Sequence, residues 1–103
     1  MRIIAKKTLV NFYIKHANSK SNLESWYSEV VDQSWDKPED IIKLYPMADV
    51  ITGKRFVFNV KGNCYSLIVD VEFKLKIVFI VWIGTHAEYD KIKVEEISYV
   101  KNS

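Results

Sequence analysis

Two side chains near the end of the sequence, an imidazole and a phenol, have the types and spacing for proton-transfer chemistry. His86 and Tyr89 lie in the run Gly-Thr-His-Ala-Glu-Tyr-Asp-Lys over residues 84–91. Thr85 and Glu88 have the spacing of a capping box, in which each side chain satisfies a backbone N–H left open at a helix start. With Thr85 as the N-cap, His86 and Tyr89 lie on one face of the helix. The run therefore predicts a phosphate-binding pair at the positive end of a helix, or else only a well-capped turn.

A predicted β-hairpin upstream of this run supplies further polar candidates. Residues 55–60 and 65–73 alternate apolar and polar side chains, and Gly62-Asn63 between them is the signal of a two-residue turn. We expect one side of the hairpin, which is aromatic, to meet the helices. The register that this turn predicts pairs Lys61 with Cys64, Asn59 with Ser66, Val57 with Ile68, and Arg55 with Asp70.

The opposite side of this hairpin is predicted to be a modestly polar and basic face. It would present Arg55, Asn59, Lys61 and Ser66, and the run that starts at residue 84 would leave the next strand beside it. Two of these residues have structural alternatives. Arg55 can have a purely structural role in its cross-strand ion pair with Asp70, and Lys61 can simply be solvated beside the turn.

The remaining elements must position these residues. Residues 1–4 predict an opening or edge strand, and apolar spacing predicts a helix over Lys6–His16. A second capping box at residues 21–24 predicts a helix that ends near Ser34, and Pro38 begins a short helix that stops at Pro46. His16 and the aromatic residues of these helices are expected to be core. Residues 76–83 are apolar at nearly every position, which predicts a central strand covered on both faces.

The order of these elements and the bulk composition limit the class of protein. Helices followed by an antiparallel meander predict an α+β fold, with N-terminal helices packed on one face of a mainly antiparallel twisted sheet. The 103 residues fit one domain over 1–103, and the net charge of +2 neither demands nor excludes a nucleic-acid partner. A single cysteine, Cys64, excludes an internal disulfide. No metal, cofactor or membrane association is expected, and we expect the protein to be cytoplasmic.

Several segments together resemble one known family. Upstream, the matching residues are Trp26-Tyr27, Trp35, Pro38-Glu39-Asp40-Ile41 and Tyr45-Pro46-x-Ala48-Asp49. Downstream, they are Arg55-Phe56-Val57-Phe58-Asn59-Val60-Lys61-Gly62-Asn63-x-Tyr65, Val78-Phe79-Ile80 and the whole run of residues 84–91. In these residues the chain resembles HigB-family toxins of type II toxin–antitoxin systems, within the wider RelE/ParE-like group. The resemblance covers almost the whole chain.

The resemblance implies a RelE/ParE-like fold and an mRNA endonuclease that cuts transcripts on the ribosome, in the 30S A site. It also implies neutralisation by a cognate helix-turn-helix antitoxin, through which alone the toxin would meet DNA. Metal-free RNA cleavage needs a base for the ribose 2′-OH, an acid for the leaving 5′-oxygen, and donors for the phosphate. The expected catalytic residues are His86, Tyr89 and Arg55, and the expected RNA-binding residues are Lys61, Asn59, Lys54 and Lys91.

Two positions depart from the family pattern. Arginine is expected after Tyr65 and often before Trp82, but Ser66 and Val81 stand there. The loss of two cations indicates weakened catalysis, or a site that uses Arg55 and Lys61 instead. Two other functions stay open: a ParE-like poison of a protein target such as gyrase, and a member that retains only antitoxin binding.

Overall fold

A five-stranded mixed sheet organises the chain, and the computed structural model describes residues 1–98 of it. The strands are β1 (Arg2–Ile4), β2 (Asp49–Val50), β3 (Arg55–Val60), β4 (Tyr65–Glu72) and β5 (Ile77–Thr85). Their order is β1-β5-β4-β3-β2. The edge strand β1 runs parallel to β5, and the other neighbours are antiparallel. These strands and their order confirm the predicted mainly antiparallel sheet.

Three N-terminal helices pack on one face of this sheet, as predicted. They are α1 (Lys6–Lys15), α2 (Lys20–Val31) and α3 (Pro38–Leu44), and a fourth, α4 (His86–Tyr89), follows β5. Proline begins α3 because its fixed φ suits the first turn and its missing N–H has no partner to lose there. Within residues 1–98, no helix is long and apolar enough to cross a membrane.

The predicted capping box at residues 21–24 is wrong. A 3-10 turn, Ala17–Ser19, precedes α2, and the helix begins at Lys20 with no side-chain cap. The Ser19 hydroxyl donates to the carbonyl oxygen of His16 at 2.7 Å, and the backbone N–H of Lys20 donates to the carbonyl oxygen of Ala17. Because the 3-10 turn runs directly into the helix, the first backbone donors are already satisfied without a capping side chain.

The core lies between the helices and the aromatic face of the sheet. The buried side chains of this core include Leu9, Leu23, Trp26, Val30, Trp35 and Ile41 from the helical half and Phe56, Phe58, Tyr65 and Leu67 from the hairpin. His16 is half-buried and stacks on Phe12, with ring centroids 4.3 Å apart. The prediction of His16 as a packing residue is therefore confirmed.

The predicted hairpin register is confirmed, but its turn is longer than predicted. Arg55 lies opposite Asp70, Val57 opposite Ile68 and Asn59 opposite Ser66. The ladder ends at Val60 and Tyr65, and residues 61–64 form the turn. The left-handed backbone falls at Lys61 (φ 53°) and Gly62 (φ 64°), one residue earlier than a turn centred on Gly62-Asn63 requires.

The face of the sheet opposite the helices is not the exposed polar face that the sequence predicts. Val57, Ser66 and Ile68 are each at most 1% exposed on this second face. The C-terminal segment after β5 covers it, because the Arg55 guanidinium donates to the carbonyl oxygens of Val94, at 2.9 Å, and Ile97. This C-terminal segment contains polar and charged residues as well as apolar ones. The alternation of residues in β3 and β4 therefore does not reveal that the segment buries this face of the sheet.

The Arg55 guanidinium forms hydrogen bonds with Asp70 and with this C-terminal segment at the same time. Its Nε and Nη2 atoms each donate to an Asp70 carboxylate oxygen at 2.7 Å. The Arg55 residue is 8% exposed, whereas 33% of the Asp70 side chain remains exposed, so the ion pair is partly open to water. A planar guanidinium can make these four hydrogen bonds at once, whereas a lysine cannot. Arg55 therefore joins β3, β4 and the C-terminal segment.

We expect Arg55→Ala to lower the free energy of unfolding by about 1–3 kcal/mol, because it leaves the partly buried Asp70 carboxylate and two carbonyl oxygens without their donor. Urea denaturation measures this change. The matched control is Lys54→Ala, which removes an exposed 3.9 Å ion pair with Glu72 and is expected to change stability by less than about 1 kcal/mol. Equal effects of the two substitutions would contradict the bridging role of Arg55.

Candidate functional site

The junction between β5 and α4 is the capping box that the sequence predicts. The Glu88 N–H donates to Thr85 Oγ1 at 3.2 Å, and the Thr85 N–H donates to Glu88 Oε1 at 2.8 Å. These hydrogen bonds with Thr85 hold the pKa of the Glu88 carboxyl below its ordinary value. The His86 N–H donates to the carbonyl oxygen of Cys64 at 3.1 Å, which ties the start of α4 to the hairpin turn.

The imidazole and the phenol lie side by side, as the helical spacing predicts. The ring centroids of His86 and Tyr89 are 6.5 Å apart with an angle of 21° between the planes. The His86 side chain is 55% exposed, and its Nε2 lies 3.8 Å from an Asp90 carboxylate oxygen. An imidazole in this position is accessible to a substrate and can pair electrostatically with Asp90 when protonated.

The phenol of Tyr89 is in a setting that keeps its proton. It is half-buried, and its ring lies 6.2 Å from that of Trp82. Burial is the main cause that raises the pKa of Tyr89, and the carboxylates of Asp49, Glu95 and Asp90 raise it further. A phenol is already protonated at neutral pH, and the raised pKa means that Tyr89 holds this proton more tightly, so its side chain is a hydrogen-bond donor here.

Two of the predicted RNA-binding residues border the junction on the hairpin side. Asn59 is exposed at the end of β3, and its cross-strand row continues through Ser66 to Gly84. Two inter-strand steps of about 4.8 Å each place Asn59 roughly 10 Å from Gly84. Lys61 is exposed in the turn whose last residue contacts the His86 backbone. The structure thus brings Asn59 and Lys61 near His86.

The other predicted residues divide between the two ends of the sheet. Lys91 is exposed just after α4, and its N–H donates to the carbonyl oxygen of Glu88 at 3.1 Å. Lys54 precedes the opposite end of β3, about 20 Å from Val60 at the usual rise per strand residue. Arg55 lies at that far end too, with its guanidinium already bonded to Asp70 and to two carbonyl oxygens. This geometry favours the structural alternative for Arg55.

Trp82 and Gly84 are parts of the site that sequence reasoning missed. A Cβ built on Gly84 would lie 2.4 Å from Cη2 and 2.5 Å from Cζ2 of Trp82, and 3.0 Å from Glu88 Oε1. The indole therefore packs directly over the glycine backbone and contacts Tyr89 on its other side. The available signal was the glycine itself, since a glycine within a strand often marks such a close approach.

The two departures from the family pattern lie in different surroundings. Ser66 is 1% exposed and sits between Asn59 and Gly84 in the cross-strand row. Val81 is the extra residue of a β-bulge, because Ile68 pairs with Trp82 while the next β4 residue pairs with Ile80. Bulges re-aim the side chains around them, and here the bulge precedes the tryptophan that packs on Tyr89.

Known proteins match most of this chain. The HigB_toxin family model, described as a RelE-like toxic component of a toxin–antitoxin system, matches residues 19–92. A protein of Escherichia coli strain CFT073 named mRNA interferase HigB is 31% identical over 94 residues, which cover 89% of this chain and 91% of that protein. The Escherichia coli K12 mRNA interferase toxin HigB is 29% identical over 92 residues, with 87% and 88% covered.

We expect Gly84→Ala to destabilise the protein by about 1–3 kcal/mol, because the new methyl group forces the Trp82 indole away from Tyr89. Thermal or urea unfolding measures the loss. The double variant Gly84→Ala/Trp82→Leu relieves the clash, so its loss should be smaller than the sum of the two single losses. Strict additivity would contradict the packing of the indole on the glycine.

The depressed pKa of Glu88 predicts a pH dependence of the α4 cap. A carboxyl whose pKa is lower in the folded state stabilises that state above its unfolded pKa, and this stabilisation is lost as the pH falls through the folded value. The capping box should therefore weaken below about pH 4.5, the ordinary value for this carboxyl. We expect Thr85→Ala, which removes the hydroxyl partner, to move the Glu88 pKa up toward that value, whereas Thr85→Ser retains the depression. NMR titration of the Glu88 carboxyl tests both changes, and equal pKa values in the two variants would contradict it.

Proposed function

The chain belongs to the HigB family of RelE-like toxins, and we propose that it cleaves mRNA on translating ribosomes and is neutralised by a cognate antitoxin. The family match and the mRNA interferase names of its relatives support endoribonuclease activity. The observation that carries the proposal for this chain is the pairing of an exposed imidazole with a protonated phenol at His86 and Tyr89.

The reaction that suits this pair is attack of a ribose 2′-oxygen on the adjacent phosphorus. A base takes the proton of the 2′-OH, the new P–O bond closes a 2′,3′-cyclic phosphate, and the bond from phosphorus to the 5′-oxygen breaks. An acid then gives a proton to the leaving 5′-oxygen. DNA lacks the 2′-OH, so RNA is the substrate that this chemistry requires.

We assign the base to His86 and the acid to Tyr89. The exposed imidazole can accept a proton from the 2′-OH, and its Nε2 lies 3.8 Å from an Asp90 carboxylate oxygen, an electrostatic partner for the imidazolium. Burial, and then the negative charge of Asp49, Glu95 and Asp90, raise the pKa of Tyr89, so its phenol carries its proton at neutral pH. It can therefore protonate the leaving oxygen or donate a hydrogen bond to the phosphate.

The RNA backbone needs positive charge beside this pair. Lys61 and Lys91 are exposed on either side of the β5–α4 junction, and Asn59 adds an amide on the same side of the sheet. Lysine ammonium groups contact phosphates as point charges. Arg55 and Lys54 lie at the far end of β3, so we place them outside the catalytic contacts. Lys54 is exposed, so it can contact only RNA that extends from the cut to that end of the sheet.

The open placement of the pair is compatible with a substrate presented by a larger particle. Both His86 and Asp90 are more than half exposed, so mRNA held in the 30S A site can reach the imidazole without a change in the fold. Ser66 and Val81 in place of arginines remove planar donors for the transition state, so we propose that catalysis is slower than in relatives that carry both.

We expect His86→Ala and Tyr89→Phe each to reduce cleavage by about 10²–10⁴-fold, the usual contribution of one acid or base. Brief induction in cells followed by mapping of transcript 5′ ends measures the loss. Leu75→Ala is the matched control, because Leu75 is 68% exposed in the turn at the opposite end of β5. Cuts confined to translated regions are expected for ribosome dependence.

Four outcomes would contradict parts of this proposal. Robust cleavage by His86→Ala would remove the imidazole from the reaction. Intact RNA together with DNA damage would indicate a gyrase poison, and an absence of any effect on growth or RNA would indicate a member that only binds its antitoxin. Cuts that are equally frequent in untranslated RNA would contradict the dependence of cleavage on the ribosome.

A further inference from the structure

A half-buried tryptophan, Trp82, lies beside the candidate catalytic pair on the same face of the sheet. It pairs with Ile68 across the β4–β5 ladder, and residues directly opposite each other in a ladder project to the same face. The ring centroids of Trp82 and Tyr89 are 6.2 Å apart, and those of Tyr89 and His86 are 6.5 Å apart. The phenol therefore has the indole and the imidazole as its neighbours.

A β-bulge directs Trp82 to this face. Side chains two residues apart in a regular strand project to the same face. Because Ile80 is buried in the core beneath the helices, a regular strand would place Trp82 in that core as well. The register shift leaves Val81 as an extra residue of β5, so Trp82 pairs with Ile68 on the face opposite the helices.

The indole places its N–H group near the junction of β5 and α4. A Cβ built on Gly84 would lie 2.5 Å from Cζ2 and 2.4 Å from Cη2 of Trp82. Cζ2 and Nε1 are bonded to the same ring carbon, Cε2, so the N–H group adjoins the edge of the ring that covers Gly84. Thr85, the next residue, is the N-cap of the helix that carries His86 and Tyr89. The N–H group is thus close to the start of α4.

This N–H group is an open hydrogen-bond donor. Within residues 1–98, the buried indole nitrogens without an acceptor are those of Trp26 and Trp35. The Nε1 atom of Trp82 also has no acceptor in that part of the chain, but it is not buried, so solvent reaches it. An indole N–H can only donate. The group that it can bind is therefore an acceptor that arrives from solution, such as a phosphate oxygen.

A fixed donor is what the neighbouring cations do not supply. Ser66 and Val81 stand where the family pattern has arginines, and Lys61 and Lys91 are exposed on a turn and beyond a helix. The indole is held in place by its packing on the Gly84 backbone and its contact with Tyr89. Donors whose direction is fixed before the reaction stabilise developing charge most effectively, because they need no reorganisation.

We propose that the Trp82 indole N–H donates a hydrogen bond to a non-bridging oxygen of the scissile phosphate. This bond stabilises the negative charge that develops on that oxygen as the ribose 2′-oxygen attacks, since hydrogen bonds to charged acceptors are the strong ones. The inference rests on the proposed endoribonuclease function and adds a catalytic residue to it. The indole N–H does not titrate, so its contribution does not depend on pH.

Two substitutions separate the N–H group from the ring that carries it. Trp82→Phe retains an aromatic ring beside Tyr89 but has no donor. In Trp82→His, Nε2 occupies the position in a five-membered ring that Nε1 occupies in the indole, so a donor is retained. Both variants lose the part of the indole that covers Gly84, so the cost in packing is common to them. Urea unfolding of each variant measures that cost.

Cleavage is measured with purified protein, ribosomes and an mRNA that contains a mapped cut site. We expect Trp82→Phe to cleave about 10–100-fold more slowly than the wild type, the effect of one hydrogen bond to a charged group. Trp82→His should recover most of the lost rate. Leu75→Ala, an exposed position at the opposite end of β5, should cleave at the wild-type rate.

Replacement of one non-bridging oxygen by sulfur tests the contact itself. Sulfur is a weak acceptor, so one of the two phosphorothioate isomers at the cut should slow the wild type. The same isomer should have little further effect on Trp82→Phe, because the hydrogen bond is already absent there. A role of Trp82 in packing alone would leave the effect of sulfur unchanged.

The failures of the two proposals are distinguishable. Absence of RNA cleavage by the wild type overturns the endoribonuclease function and this contact with it. Cleavage that is lost in His86→Ala but unchanged in Trp82→Phe overturns the contact alone, as do equal losses in Trp82→Phe and Trp82→His with the same effect of sulfur as in the wild type. If neither variant folds, the wild type decides: equal rates with both sulfur isomers and with unmodified RNA overturn the contact, and slowing by one isomer supports it.

Discussion

The Arg55–Asp70 pair is the interaction on which the arrangement of the site depends. It joins the two strands of the hairpin, β3 and β4, and the same guanidinium donates to the carbonyl oxygens of Val94 and Ile97. Because the segment after α4 is anchored there, α4 has fixed attachments on both sides: the end of β5 before it and the Arg55 bridge after it. A four-residue helix could not hold the rings of His86 and Tyr89 in place by its own backbone hydrogen bonds, since so short a helix is unstable alone.

The sequence predicts this fold well wherever a local pattern decides the structure. Alternation of apolar residues and the hairpin register placed Asn59 opposite Ser66, and the Thr85–Glu88 spacing predicted the capping box. Prediction from the sequence failed where distant parts of the chain contact each other. Ser66 and Val57 are buried on the sheet face opposite the N-terminal helices, and the segment after α4 bonds to Arg55 of that same face. No periodicity in β3 or β4 encodes this burial. Two further errors are local: the turn begins one residue earlier, at Lys61, and a 3-10 turn precedes α2 in place of a capping box. In both places, similar residues are compatible with either backbone conformation.

The site was predicted by residue type more fully than by environment. The spacing of His86 and Tyr89 predicts that their rings are neighbours, but it does not reveal which carboxylates surround the phenol. Asp49 comes from β2, 40 residues earlier in the chain, and Glu95 from the segment beyond α4. Burial and then the negative charge of these carboxylates raise the pKa of Tyr89, so the phenol holds its proton more tightly than the sequence alone would indicate. Under the proposed function, this environment favours Tyr89 as the donor and leaves the role of base to His86.

The same packing accounts for the kind of positive charge that this site can use. Gly84 has no room for a side chain beneath the Trp82 indole, and its row neighbour Ser66 is fully covered. An arginine at position 66 would have to displace that cover or extend out from under it, at a cost typical of overpacking. The cations that remain near His86 are lysines on a turn and beyond a helix, Lys61 and Lys91, whose ammonium groups are flexible point charges. A flexible charge holds a phosphate without fixing its orientation, so alignment of the scissile bond must come from elsewhere. Thr85 and Glu88 fix the start of α4, which carries both His86 and Tyr89, so under the proposed function these two rings supply that alignment.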